Sequence, residues 1–297
     1  MKISIIGGGS VGLLFAYYLH PFHEVVLYTR TRTQMENLQD EGLTLKKDNV
    51  SHRTKIVCKH IHDFRQNQEE LTIITVKQYQ LESLLKTITL TETAPILFLQ
   101  NGMGHLKWLE TLNANHIFVG SVEHGAYREN DVTVHHTGEG ITRLANYKGD
   151  KSKLIHFIEP LGTEFPFKLE ENYEEMLIRK LVVNAVINPL TAILYVENGQ
   201  LVENPYFAHL LNSLFKEITG ILELEAEKTY ENLIHICKKT AHNRSSMLKD
   251  IEANRPTEID AILGYLLEKA EHKKIEAPLT EAYYHCIKGK ELRREGN

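Results

Sequence analysis

Lys180, Asn184 and Asn188 recur at i, i+4 and i+8 in the run Arg179-Lys180-Leu181-Val182-Val183-Asn184-Ala185-Val186-Ile187-Asn188-Pro189-Leu190-Thr191-Ala192. In a helix this spacing lines up an ammonium and two amides on one face of an otherwise Val, Ile, Leu and Ala surface. Burying such groups is costly unless they meet polar partners. A small, oxygen-rich ligand would supply those partners. The competing reading is a narrow solvated stripe, but exposed stripes favour Glu, Lys and Gln over two asparagines of poorer helix propensity. Two later segments bring more amides, hydroxyls and carboxylates: Asn243-Arg244-Ser245-Ser246-Met247-Leu248-Lys249-Asp250 and Arg255-Pro256-Thr257-Glu258-Ile259-Asp260.

A second kind of chemistry stands at the amino terminus. Ile3-Ser4-Ile5-Ile6 reads as a strand that turns through Gly7-Gly8-Gly9-Ser10-Val11-Gly12 into an apolar helix. In a dinucleotide loop the first glycine permits the tight turn, the second lets backbone approach a pyrophosphate, and the third lets helix pack close to strand. The helix amino terminus then receives the phosphate charge. Glu24-Val25-Val26-Leu27-Tyr28 completes the unit as the next strand, and its tip is Thr29-Arg30-Thr31-Arg32, without Asp or Glu. An acid there suits the ribose diol of NAD, whereas arginine accommodates the extra phosphate of NADP. Two guanidinium groups with two hydroxyls favour NADPH, with Arg30 as the leading contact; solvated loop charges are the plain alternative.

The elements that must position these groups read as an α/β protein. Short apolar runs at Leu71–Val76, Pro95–Leu99 and Ile117–Gly120 have the character of buried parallel strands, with a helix over Tyr79–Ile88. Ligands in such sheets collect at the carboxyl ends of strands, which makes Lys77 and Gln100-Asn101-Gly102-Met103-Gly104 candidates. Segments at Glu123–Arg128, Val132–Val134 and Ile141–Leu144 read as hairpin strands extending the sheet. Beyond Glu170 the pattern is helical, over roughly 173–195, 205–229, 230–250 and 256–272. The expected organisation is a Rossmann-type doubly wound domain over 1–170 and an all-α substrate domain over 171–297.

Composition narrows the classes. The chain has 297 residues, 42% hydrophobic and 25% charged, with a net charge of −5, enough for two domains with real cores. No concentrated basic face is visible, so nucleic acid is not an expected partner. The apolar stretches read as shorter than the roughly 20 residues that span a bilayer, and the first residues are strand rather than signal peptide. Cys58, Cys237 and Cys286 are far apart and odd in number, which suggests reduced thiols and a cytoplasmic setting. Despite sixteen histidines, neither His60/His62 nor His135/His136 has the spacing of a zinc site, so no metal is expected. A helical domain offers faces for a homodimer as readily as for solvent.

Taken in order, Gly7–Gly12, Asn101-Gly102-Met103-Gly104, Lys180–Ala192, Ser245–Asp250 and Thr257-Glu258-Ile259-Asp260 resemble the ketopantoate reductase family over nearly the whole chain. The resemblance implies NADPH-dependent reduction of 2-dehydropantoate to (R)-pantoate, in pantothenate and coenzyme A synthesis. It implies Lys180 as catalytic lysine and Glu258 as essential glutamate. It further implies Asn184, Asn188 and Asn198 on substrate oxygens, Asn243 and Ser246 closing on the carboxylate, Asn101 touching both ligands, and Lys77 and Ala126 holding NADPH across an interdomain cleft. The chemistry agrees, since hydride arriving at C2 leaves an alkoxide that a positioned cation stabilises and protonates. Glu258 would orient that ammonium and hydrogen-bond the substrate or the cofactor, although a glutamate after Pro256-Thr257 is also what simple helix capping places there. Glu123 stands where small hydroxyl residues occur in some family members. Other readings are a different NADP-dependent 2-hydroxyacid or beta-hydroxyacid dehydrogenase, or an NADPH-sensing module without turnover.

Overall fold

The protein is described by a computed structural model over residues 1–66 and 71–292. The chain divides into two compact units, one of residues 1–100 and 107–176, the other of 101–106 and 177–297.

Among the described residues, unit 1 is built on twelve strands: β1 (Lys2–Ile6), β2 (Glu24–Thr29), β3 (Leu43–Lys47), β4 (Val50–Thr54), β5 (Val57–His60), β6 (Leu71–Ile74), β7 (Ile96–Phe98), β8 (Ile117–Val122), β9 (Gly125–Arg128), β10 (Thr133–Gly138), β11 (Thr142–Lys148) and β12 (Phe167–Glu170). Eight form one sheet in the order β12-β11-β8-β7-β6-β1-β2-β5. Its pairs are parallel except β8 with β11. From β1 the chain winds one way through β2 to β5 and the other way through β6 to β8. The strand order therefore reverses between β1 and β6, and the carboxyl ends of those two strands form the switch point where such sheets bind ligands.

The expected doubly wound sheet is thus present, with one correction. Strands β9 and β10 do not extend it; with β3 and β4 they make a separate four-stranded sheet, β4-β3-β10-β9. The reason lies in β3 and β4, whose residues lack a continuous apolar run and carry no strand signal of the buried parallel kind. Helix α1 (Ser10–Leu19) buries Leu13, Leu14, Phe15, Ala16 and Leu19 in one core shared with Ile3, Ile5 and Leu27 of the large sheet and with Leu43, Leu45 and Val134 of the small one. Helices α2 (Arg32–Glu41), α3 (Gln78–Thr87), α4 (Leu106–Glu110) and α5 (Ser152–Ile158) complete the connections.

Unit 2 is helical: α6 (Tyr173–Leu194), which begins in unit 1, α7 (Gln200–Glu203), α8 (Pro205–Leu222), α9 (Ala226–Lys239), α10 (Ser246–Glu252), a π-helical turn at Asp260–Gly264 running into α11 (Tyr265–Lys273), and α12 (Pro278–Leu292). Three of the expected helices are shorter than their apolar patterns suggest. The second stops where Glu223 adopts a left-handed conformation (φ 55°). The third stops at Thr240, before the Asn243-Arg244-Ser245 loop. The fourth starts late, after Pro256-Thr257. Helix α12 falls outside every expected range; Pro278 opens it, and Glu217 of α8 holds its first turn by accepting from the backbone N–H groups of Leu279 and Thr280 and the Thr280 hydroxyl.

Helix α6 also corrects the expectation about apolar length. Its 22 residues, with hydropathy 1.5, are long and apolar enough to cross a membrane, yet 61% of the window is buried inside the protein. Its apolar side chains, Leu181, Val182, Ala185, Val186 and Leu190 among them, are core residues.

The β1–α1 turn supplies a test of the packing. A Cβ on Gly12 would lie 1.8 Å from the Gly7 carbonyl oxygen and 2.7 Å from Thr75 Oγ1, whereas one on Gly9 would meet nothing within 4 Å. Gly12→Ala should therefore cost roughly 2–3 kcal/mol as an overpacked backbone contact and lower the melting temperature by several degrees, while Gly9→Ala should melt with the wild type.

Candidate functional site

Around the switch point of unit 1, the carboxyl end of β1 is fixed by its neighbours. Gly7 takes φ +121°, a conformation open to glycine. Thr75, just past β6, donates its hydroxyl to the carbonyls of Ile6 and Gly7, each at 3.0 Å. The Gly8 carbonyl accepts from Gln34 Nε2 at 2.8 Å and from Arg128 at 3.2 Å, and a Cβ on Gly8 would strike the Gln34 amide. Gly9 is the cap of α1 and gives it no side-chain cap, and no acid stands in its first turn. The N–H groups of Ser10, Val11 and Gly12 precede the first helical bond, from Leu13 to Gly9, and open backbone lies beside Gly9. Uncapped donors at the positive end of a ten-residue helix, with room for backbone approach, fit a pyrophosphate. Gln34 and Arg128 were not legible as loop supports, because both act from distant chain positions.

The other expected cofactor residues are placed as follows. Arg30 and Arg32 are exposed at the tip of β2. The two hydroxyls expected beside them are engaged: buried Thr29 donates to the Thr31 carbonyl, and Thr31 Oγ1 accepts from Gln34 N–H as the cap of α2. The guanidinium groups of Arg30 and Arg32 are therefore the exposed donors of the strand tip. Lys77 is half-buried at the cap of α3, just beyond β6. Ala126 lies half-buried in β9, opposite His136 of β10. Glu123 pairs with Arg143, whose Nε donates to it at 2.8 Å while Nη1 pairs with Glu170.

Unit 2 carries the candidate substrate and catalytic groups. On α6, Lys180 and Asn184 are half-buried and Asn188 is 7% exposed, one turn apart along one face. Thr191, three residues beyond Asn188, ties this helix to α10: its hydroxyl donates to Ser245 Oγ at 2.7 Å, and Ser245 Oγ in turn accepts from Leu248 N–H. Ser245 is thereby the structural cap, leaving Ser246 exposed on the first residue of α10. Asn198 is 8% exposed; its Nδ2 donates to Thr240 Oγ1 and its backbone N–H to the Asn243 carbonyl. Asn198 Oδ1 is buried without a partner among the described residues, an acceptor that a ligand hydroxyl can satisfy.

The strongest link joins two distant motifs. Asn101 Nδ2 donates to Glu258 Oε2 at 2.8 Å. Met103 N–H donates to the Ala261 carbonyl, and Gly102 (φ +73°) comes so near that a Cβ would lie 2.1 Å from that same oxygen. Capping of the 259–264 turn is done by Thr257, whose Oγ1 accepts from Ile259 N–H and whose own N–H and O–H are held by Glu291 of α12. Glu258 is therefore not the cap, and its carboxylate, 7% exposed, faces Asn101. Asp260 is fixed from α12 by Tyr284 and Lys288. His105, at the end of the Asn101 motif, went unnoticed in sequence and is 1% exposed. Burial holds its ring far below the usual imidazole range, at about 4, against the pull of the Glu258 charge, which acts to raise it.

This shift fixes a pH dependence. With the folded value depressed, the unfolded chain binds the proton first, so stability is complete above the ordinary value of 6.5 and declines as pH falls toward 4. His105 alone accounts for about 3 kcal/mol of that decline by pH 4. Urea midpoints measured at pH 7 and pH 4.5 should diverge less in His105→Leu than in the wild type.

Comparison with known proteins matches both units. Residues 3–149 match the family described as ketopantoate reductase PanE/ApbA, and residues 172–291 its C-terminal counterpart. The 2-dehydropantoate 2-reductase of Bacillus subtilis is 41% identical over 98% of both chains, and that of Listeria monocytogenes 40% identical over 98% of this chain and 97% of its own. A crystal structure of the probable 2-dehydropantoate 2-reductase of Bacillus subtilis superposes with TM-score 0.89 at 40% identity, covering 98% of this chain and all of the other. The glycine loop over β1–α1, the clamped Glu258 and the polar face of α6 are thus those of a chain that belongs to the ketopantoate reductase family.

Proposed function

We infer that the protein reduces 2-dehydropantoate to (R)-pantoate with NADPH. The observation that carries this reading is the Asn101–Glu258 hydrogen bond at 2.8 Å, which holds a nearly buried carboxylate in the unit that also bears Lys180, within a chain 41% identical to a 2-dehydropantoate 2-reductase.

The glycine loop fits the dinucleotide: Gly7, Gly8, Gly9, Ser10, Val11 and Gly12 would hold its pyrophosphate, Arg30 the 2′-phosphate, and Lys77 and Ala126 its remaining length. When bound, that group supplies hydride. In unit 2, Asn184, Asn188 and the Asn198 carbonyl oxygen bind substrate hydroxyl or carboxylate oxygens, and Asn243 and Ser246 complete the carboxylate pocket. The Lys180 ammonium donates its proton to the C2 oxygen as negative charge builds there, a contribution of roughly 10²- to 10⁴-fold. Glu258, held by Asn101, orients that ammonium. Asn101 thereby serves the site through Glu258 as well as through any direct ligand contact.

Three free cysteines, Cys58 and Cys237 buried and Cys286 exposed, and a demand for NADPH support a cytoplasmic setting. A homodimer belongs to the same proposal; a Staphylococcus aureus relative of this fold is described as a dimeric ketopantoate reductase.

Following NADPH absorbance with 2-dehydropantoate tests the reading. The wild type should turn over, Lys180→Ala should lose at least about 10²-fold in kcat, and NADH should be the poorer reductant. Binding of NADPH without turnover would remove the substrate assignment and leave the cofactor one.

A further inference from the structure

His105 is enclosed in unit 2, and neither ring nitrogen has a hydrogen-bond partner among the described residues. A neutral imidazole carries one donor and one acceptor. Leaving both unmet costs stability, whereas an apolar side chain of similar size would carry no such cost. The position is not one that the chain can relax. Met103 N–H is bonded to the Ala261 carbonyl, Leu106 N–H to the Met103 carbonyl, and Gly102 lies against Ala261 with no room for a side chain. These bonds set the ring beside the turn that carries Glu258, whose charge acts on it. Asn101, on the same six-residue segment, already grips Oε2 of that carboxylate.

We propose that His105 is a positioning residue for Glu258, its neutral ring joined to the carboxylate through one enclosed water. A water with partners on one ring nitrogen and on the carboxylate satisfies that nitrogen and removes part of the cost of burying the ring. The segment 101–106 then holds Glu258 twice, through the Asn101 amide and through His105. This rests on the reading that Glu258 works in ketoacid reduction.

The test compares His105→Leu and His105→Gln with the wild type in NADPH oxidation by 2-dehydropantoate and in thermal melting. We expect His105→Leu to lose about 10- to 100-fold in kcat, as loss of outer supports to a reacting site does. KM for the ketoacid should stay near its wild-type value, and the melting temperature should be no lower. His105→Gln, which retains a donor and an acceptor, should recover part of the kcat. Unchanged kcat in His105→Leu overturns the proposal, as does a loss that glutamine leaves unrestored. Should the wild type fail to reduce 2-dehydropantoate, the functional reading falls, and melting alone still decides the link. Non-additive shifts for His105→Leu and Glu258→Gln support it, and additive shifts overturn it.

Discussion

The approach of Gly102 to the Ala261 carbonyl is the contact on which the candidate chemistry depends. Only a residue without a Cβ can come so near, and in the same segment Met103 N–H donates to that oxygen and Asn101 Nδ2 to Glu258. Residues more than 150 positions apart in sequence are thereby brought into register by backbone. The geometry of a carboxylate placed this way is set before any ligand arrives, which is the condition for electrostatic help to a developing charge. The other side of the same turn is braced from α12, through Glu291 on Thr257 and Tyr284 and Lys288 on Asp260.

The glycine loop obeys the same logic in unit 1. Gly7 and Gly12 are required by contact, one for its positive φ and one for its neighbour's carbonyl, while Gly9 is required by nothing in the protein itself. Thr75, Gln34 and Arg128 hold the loop by its carbonyls.

Much of this was legible in the amino-acid order because the motifs are local. The β1–α1 turn, the parallel strands of the large sheet and the polar face of α6 each follow from spacings within about a dozen residues. The small sheet was misread because its strands pair across long separations, β10 with β3, and short exposed strands such as Val50–Thr54 carry no apolar run. Helix α12 lacked a clear periodic face, and its start is fixed by Glu217 from another helix. At the site, the residue types on α6 stood out by their spacing and Glu258 by family resemblance, whereas the choice of Thr257 rather than Glu258 as cap goes with Glu291, 34 positions on, which holds Thr257. His105 looked like one histidine among sixteen; only enclosure distinguishes it.

The central claim is that Asn101 acts on the reaction through the Glu258 carboxylate. A double-mutant cycle in kcat/KM for 2-dehydropantoate, using Asn101→Ala, Glu258→Gln and the pair, measures this directly. A shared role predicts that the double variant is little worse than the poorer single one, a coupling of about 1–3 kcal/mol. Losses that simply multiply would contradict it, showing that the two side chains serve the reaction independently despite their hydrogen bond.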